Sequence, residues 1–200
     1  MGHIPPSSRI KGTMRFGDNF KYSRRHFLKI GFFASCALFR PVSLFAGAAH
    51  KALPERSLAF YNTHTDEYLK TVYWANRQYQ PDALEQINCI FRDHRSGEIK
   101  PISPQLLDIL YYVCNKSLSK KPIHIISGYR SPETNALLRR QSGGVVKKSY
   151  HLKGQAIDFC LPDCGLSRLR RIAIGLKAGG VGYYPESNFV HVDIGPVRSW

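Results

Sequence analysis

The chain has 200 residues, 43% hydrophobic and 22% charged, which suits one ordinary domain with a core and excludes a disordered polyelectrolyte. Its formal net charge of +15 is unevenly placed: residues 1–48 carry eight Lys/Arg against Asp18 alone, leaving +8 for residues 49–200. Nucleic acid, anionic lipid and an anionic polymer are all compatible with that charge, which by itself does not choose among them.

The N-terminal region reads as an address. Ser23-Arg24-Arg25-His26-Phe27-Leu28-Lys29 precedes a short apolar run from Ile30 to Phe39, and small residues follow at Ala46-Gly47-Ala48. A basic stretch, an apolar stretch and an A-x-A site in that order predict a secretory signal. The paired arginines followed by Phe-Leu-Lys resemble a twin-arginine export signal. Ten apolar residues span only about half of a ~30 Å hydrocarbon core, which disfavours a membrane anchor. The expected division is an export signal over 1–48 and a domain over 49–200, with the periplasm as destination and membrane contact only through the signal.

Residues 57–64 and 67–74 read as two strands joined at Thr65-Asp66. Pro81 opens a helix with Leu84, Ile87 and Phe91 on one face, and Gly97 lies past its end. Ser103-Pro104 is a capping pair for a helix carrying Leu106, Ile109, Leu110, Val113 and Cys114. Residues 122–126 form a short strand, Ser127-Gly128-Tyr129-Arg130 turns out of it, and Ser131-Pro132-Glu133 starts a helix through Leu138. A loop over 141–150 leads to a strand from Gln155 to Cys160. Ser167 caps a basic helix ending near Gly179-Gly180, and Val181–Tyr184 and Phe189–Ile194 are the last strands. Strands at both ends with helices between them predict an α+β domain with a small antiparallel sheet flanked by helices.

Four cysteines fall after residue 48. Cys160 and Cys164 could close a small loop, and Cys89 with Cys114 could join two helices or simply pack in the core. Neither pair has the close spacing of a cysteine zinc site.

Two stretches carry chemistry: Ser149-Tyr150-His151-Leu152-Lys153-Gly154-Gln155-Ala156-Ile157-Asp158-Phe159 and Asn188-Phe189-Val190-His191-Val192-Asp193. Two imidazoles and one carboxylate match the three-ligand set of catalytic zinc sites. Lys153-Gly154 can turn the chain between His151 and Asp158. On the last strand Phe189, His191 and Asp193 share one face while Val190, Val192 and Ile194 take the other. If the two strands are antiparallel neighbours, Asp158 and His191 meet across them. An unpaired carboxylate in the run Ala-Ile-Asp-Phe would be costly, so Asp158 demands a partner. His64, His94 and His124 lie in less suggestive contexts.

His151-x-x-x-Gly154-x-Ala156-x-Asp158 resembles the first zinc motif of the D-Ala-D-Ala metallopeptidases, with their VanX- and Hedgehog-like fold, and His191 matches the later histidine. The runs Ser127–Ser131, Lys147–His151, Ala178–Pro185 and Asn188–Asp193 resemble the murein endopeptidase K (YcbK-like) family over essentially all of 55–200. The resemblance implies zinc held by His151, Asp158 and His191, cleavage of peptide cross-links in peptidoglycan, and a periplasmic setting. It places Arg130 near the scissile group, where a guanidinium can stabilise a developing oxyanion; the alternative is a surface pair with Glu133. Position 188 is Asn where many members carry the Glu of Glu-x-x-His, and position 189 is Phe where others carry His, so neither usual general base is present. Asp193 is the substitute candidate, as the base or as a carboxylate orienting His191, with Glu186 behind it.

Direct hydrolysis is the expected reaction. Arg139, Arg140, Lys147, Lys148, Arg168, Arg170 and Arg171 form either a wall-binding surface or a solvated face. The rival readings are a non-catalytic wall-binding module with a structural zinc and a nucleic-acid binder. Export and the absence of an aromatic stacking motif among the basic residues argue for no nucleic acid.

Overall fold

The computed structural model describes residues 54–142 and 144–200; the expected export signal lies outside them. β1 (Arg56–Asn62) and β2 (Tyr68–Ala75) form an antiparallel hairpin. Its connection is longer than the predicted turn. Asn62 closes it by donating its N–H to the Glu67 carbonyl and accepting from Asp66 N–H, with Asp66 at φ 57°. A third strand, β3 (Gln78–Tyr79), pairs with β2 and was not expected. Asn76 and Arg77 both take positive φ (53° and 64°), as a type I′ turn requires. Asn-Arg lacks the glycine that normally announces such a turn.

The helices are α1 (Pro81–Ile90), α2 (Pro104–Ser117), α3 (Pro132–Gln141) and α4 (Leu166–Leu176). Pro opens the first turn of α1, α2 and α3, where its missing N–H costs nothing. Ser131 caps α3 by accepting Thr134 N–H at 3.2 Å. Ser103 sits at the cap position of α2 but makes no capping bond through its hydroxyl; its N–H goes to the Gly154 carbonyl. Gly165, not Ser167, occupies the cap of α4, and the helix ends at Lys177 in the left-handed region, short of Gly179.

The remaining strands are β4 (Ile123–Ser127), β5 (Ala156–Cys160), β6 (Gly180–Tyr184), β7 (Phe189–Asp193) and β8 (Arg198–Ser199). The α+β class holds, but the sheet is neither small nor purely antiparallel. Eight strands run in the order β3-β2-β1-β4-β5-β7-β6-β8, with β1·β4 and β6·β8 parallel. The β1-to-β4 link explains the first parallel pair: it contains α1 and α2, long enough for a crossover.

Strand alternation divides the sheet into two faces. Leu58, Phe60, Ile123, Ile125, Ile157, Phe159, Val190, Val192 and Val181 point into one core, with side chains of α1, α2 and α4. Asp158, His191 and Asp193 alternate with these residues and take the opposite face. Before β5, a 3-10 turn (Tyr150–Lys153) ends at Gly154, whose φ of 63° and close approach to the Pro101 carbonyl exclude a side chain.

The four cysteines of the described domain are free thiols. The Leu161–Cys164 loop is closed by backbone pairing, Cys164 N–H donating to the Leu161 carbonyl at 3.0 Å. Burial pushes the Cys114 thiol up to about 12, as expected of an inert packing residue. Among the described residues no helix is long and apolar enough to cross a membrane.

Candidate metal centre

The antiparallel register of β5 and β7 sets Asp158 opposite His191. The 3-10 turn brings His151 to the same point, held by its Ser149 cap. His191 Nδ1 lies 2.8 Å from Asp158 Oδ1, His151 Nε2 lies 3.2 Å from His191 Nδ1, and His151 Nε2 lies 3.3 Å from Asp158 Oδ1. Donors about 2.0–2.2 Å from a tetrahedral metal stand about 3.3 Å apart. The three donor atoms therefore already form one face of such a site, and they are a group able to hold a metal ion.

The other ring nitrogens fix which atoms face the centre. His151 Nδ1–H donates to the Gly128 carbonyl at 2.7 Å, which leaves the Nε2 lone pair free. His191 Nε2–H donates to Asp193 Oδ2 at 3.0 Å, which turns Nδ1 inward. Such outer contacts orient metal-binding imidazoles and raise their basicity.

The electrostatics suit a cation. Burial opposes ionisation of Asp158, but His151 and His191 outweigh it and hold the carboxyl far below its usual range. For His151 burial dominates and lowers the pKa, favouring the neutral ring. Burial also acts against a charged His191, yet Asp158 and Asp193 prevail and raise it to about 9. The proton on His191 Nδ1 thus sits where a metal cation would replace it.

Asp193 is fully buried and saturated. It accepts from Gly180 N–H at 3.1 Å and Gly195 N–H at 2.8 Å. Arg198 grips both its oxygens, at 3.1 and 2.6 Å. Burial would raise its pKa, but His191 and Arg198 hold it well below the carboxylate range. Arg198 was missed in the sequence, where nothing marks it. Gly180 lies in the helix-ending Gly179-Gly180 pair; a Cβ there would stand 2.7 Å from Asp193 Oδ2 and crowd the Arg198 guanidinium, so the ion pair needs a glycine under it.

Arg130 does not pair with Glu133. Its Nη2 lies 3.2 Å from Ser127 Oγ and 3.3 Å from Asp158 Oδ2, and its buried Nε has no partner. The backbone around it is tied down on three sides: Tyr129 N–H to the Phe91 carbonyl, Arg130 N–H to the His151 carbonyl, and Ser131 N–H to Asp93 Oδ2. Arg130, the three donor residues, Asp193 and Arg198 line a cleft of about 830 Å³, walled by Tyr150, Tyr184, Phe189 and Trp200. Among the described lining residues the only carboxylates are Asp158 and Asp193. Glu186 is exposed on the β6–β7 turn, outside the cleft. In the same turn Asn188 has φ 52°, a conformation that Asn tolerates better than Glu.

A family model described as peptidoglycan L,D-endopeptidase MepK matches residues 50–200. The chain belongs to this family. It is 45% identical over 183 residues to the peptidoglycan L,D-endopeptidase MepK of Escherichia coli K12, covering 92% of this chain and all of that relative. The probable peptidoglycan L,D-endopeptidase MepK of Haemophilus influenzae is 43% identical over 146 residues, 72% of this chain and 78% of the relative. The Asn188-Phe189-Val190-His191 run stands in place of the Glu-x-x-His pattern, and among the described residues Asp158 is the one carboxylate at the donor face.

Three further described histidines, His64, His94 and His124, lie outside the group. His64 and His94 stack at 3.8 Å, and His64 Nε2 bonds the Ile126 carbonyl. Burial, then His64 and Arg95, lower His94 from 6.5 to about 4. A depressed histidine stabilises the fold fully above its unfolded pKa and loses that contribution as pH falls through the folded one. The urea midpoint is expected to decline between about pH 6.5 and 4, and His94→Gln is expected to flatten that decline; an unchanged slope in the variant refutes the assignment.

Proposed function

We propose that the protein is a zinc-dependent endopeptidase that hydrolyses peptide cross-links in peptidoglycan, with the L,D bond as its target. The observation that carries this reading is the convergence of His151 Nε2, Asp158 Oδ1 and His191 Nδ1 on one point of an open cleft beside Arg130. Three protein donors rather than four favour a catalytic over a purely structural zinc, because a catalytic site keeps one position open. The same count weighs against a non-catalytic wall-binding module.

Zinc, when bound, supplies Lewis-acid chemistry: it acidifies water and polarises a peptide carbonyl. The chain's own residues do the rest. Gly128 and Asp193 hold the protons on His151 Nδ1 and His191 Nε2, so the opposite nitrogens face the donor point, that of His191 offering its lone pair once a cation displaces its proton. Arg198 keeps Asp193 ionised and immobile. Of the two roles open to Asp193, this environment supports the orienting one, since all its acceptor directions are engaged. Arg130, on the wall of the cleft beside the donor atoms, offers its positive charge to the oxygen on which negative charge develops. Burial lowers the Arg130 pKa while Asp158 opposes that shift, and the side chain is poised for a second anionic partner.

A peptidoglycan substrate places the enzyme outside the cytoplasm, and residues 1–48 as a twin-arginine signal would deliver it folded to the periplasm. The basic surface, including Lys147 and Lys148, fits attachment to an anionic wall polymer.

Zinc-loaded protein is expected to split L,D-cross-linked muropeptide dimers, with products identified by mass. His151→Ala is expected to lose both zinc and activity; retention of zinc removes His151 from the ligand set, and intact dimers with zinc-loaded wild type sink the enzyme reading. Arg130→Ala is expected to lower kcat by about 10²–10³ with zinc content unchanged, and a variant altered only in KM would assign Arg130 to substrate binding instead. Replacing Arg24-Arg25 by Lys-Lys is expected to leave the protein in the cytoplasm, as read by fractionation; export at the wild-type level refutes the twin-arginine route.

A further inference from the structure

Beyond the metal centre, the face of the sheet opposite α1, α2 and α4 carries a second transverse row of side chains. The pairings define it residue by residue. Tyr184 is opposite Phe189 on β6 and β7. Phe159 opposite Val190 puts Cys160 beside Phe189. Cys160 is opposite His124, His124 is beside Tyr61, and Tyr61 is opposite Tyr68. Each of these residues alternates with a core residue, so all six share the face of Asp158 and His191. Five of the six carry rings. Tyr184 and Phe189 stack at 4.6 Å, and Tyr61 and His124 lie 4.9 Å apart. Tyr68, at the far end, is 61% exposed. Helices α1, α2 and α4 all pack on the other face.

We infer that this row is a platform for the sugar rings of the glycan strand whose peptide stem reaches the metal centre. The inference rests on the endopeptidase reading above. Three observations carry it. First, the row is continuous with the cleft, since Tyr184 and Phe189 line it. Second, the distances match. Strands lie about 4.8 Å apart and the row sits two residues, roughly 7 Å, along them from Asp158, so Tyr61 on β1 and Tyr68 on β2 stand roughly 12 and 16 Å from that carboxylate. Three or four extended residues at about 3.3–3.6 Å each span roughly 10–14 Å, which reaches Tyr61 and leaves the sugar itself to extend toward Tyr68. Peptidoglycan stems are this short, so a stem with its scissile bond at His191 and Asp158 brings its sugar against Tyr61, His124 and Tyr68. Third, the chemistry fits: a pyranose ring presents an apolar face of C–H groups to an aromatic ring and hydroxyls to its edge, and tyrosine offers both an apolar body and a polar tip.

Two substrates separate sugar from peptide: a cross-linked dimer carrying its disaccharides, and the same dimer after enzymatic removal of the sugars. Tyr61→Ala combined with His124→Ala is expected to raise KM for the sugar-bearing dimer about fivefold, the loss of roughly one aromatic contact. KM for the sugar-free dimer and both kcat values are expected to stay within about twofold. An equal rise on both substrates, or no rise on either, overturns the inference. Tyr68→Ala, at an exposed position, is expected to shift KM the same way on the sugar-bearing dimer only, and it decides the question if the double variant does not fold. Failure of the endopeptidase reading looks different, because wild type then cleaves neither dimer. Calorimetric binding of an uncross-linked disaccharide-peptide then tests the platform alone: weaker binding by Tyr68→Ala supports it, and equal affinity overturns it.

Discussion

Asp158 is an ionised carboxylate between the fully buried Ile157 and Phe159, and desolvating such a group costs several kcal/mol unless it is paired. The domain meets that cost with His191 across the strand pair, His151 from the preceding turn and Arg130 from the turn between β4 and α3. Each partner comes from a different element. The centre therefore exists only when β4, β5, β7 and the 3-10 turn are all in place. Much of the surrounding architecture can be understood as what holds those four pieces in register.

The supports run outward from that centre in two directions. On one side Asp193 fixes His191, Arg198 fixes Asp193, and the rings of Tyr150 and Trp200 flank Arg198 at 5.5 and 5.0 Å. The two-residue strand β8 pairs with β6 and brings Arg198 beside Gly180. On the other side Asp93, after α1, binds Ser131 N–H and Arg95 N–H and so ties the Arg130 segment to the helical layer. Burial works against ionised Asp93, but Thr134, Ser131 and Arg95 keep it well below the carboxylate range. Both supports end on a buried carboxylate saturated with donors, the arrangement that makes such groups rigid rather than costly.

The two faces of the sheet divide the labour. Aliphatic and aromatic side chains on one face bury themselves with the helices and supply stability. The other face carries the polar groups: the His151, Asp158 and His191 cluster, a guanidinium at its edge, and a row of rings beside it. Because side chains alternate strictly along a strand, one register serves both purposes. A slip of one residue between β5 and β7 would put Asp158 in the core and Ile157 in the cleft.

Much of this was legible in the chain. The alternation of Val190, His191, Val192 and Asp193 determines which residues share a face, because strand period depends only on backbone geometry. The Ser-Pro start of α3, the Gly154 turn and the His151/Asp158/His191 set are local patterns with local physical causes. Three other features were decided only by tertiary structure. The parallel β1·β4 pairing depends on how a crossover of two helices packs, which no periodicity encodes. Arg198 has no motif around it, and its role follows from a two-residue strand docking beside Gly180. The surroundings of Asp193, which the sequence leaves open between proton acceptor and orienting carboxylate, depend on which donors fold around it. Its five donor groups come from residues 180, 191, 195 and 198, and only folding brings that set around one carboxylate.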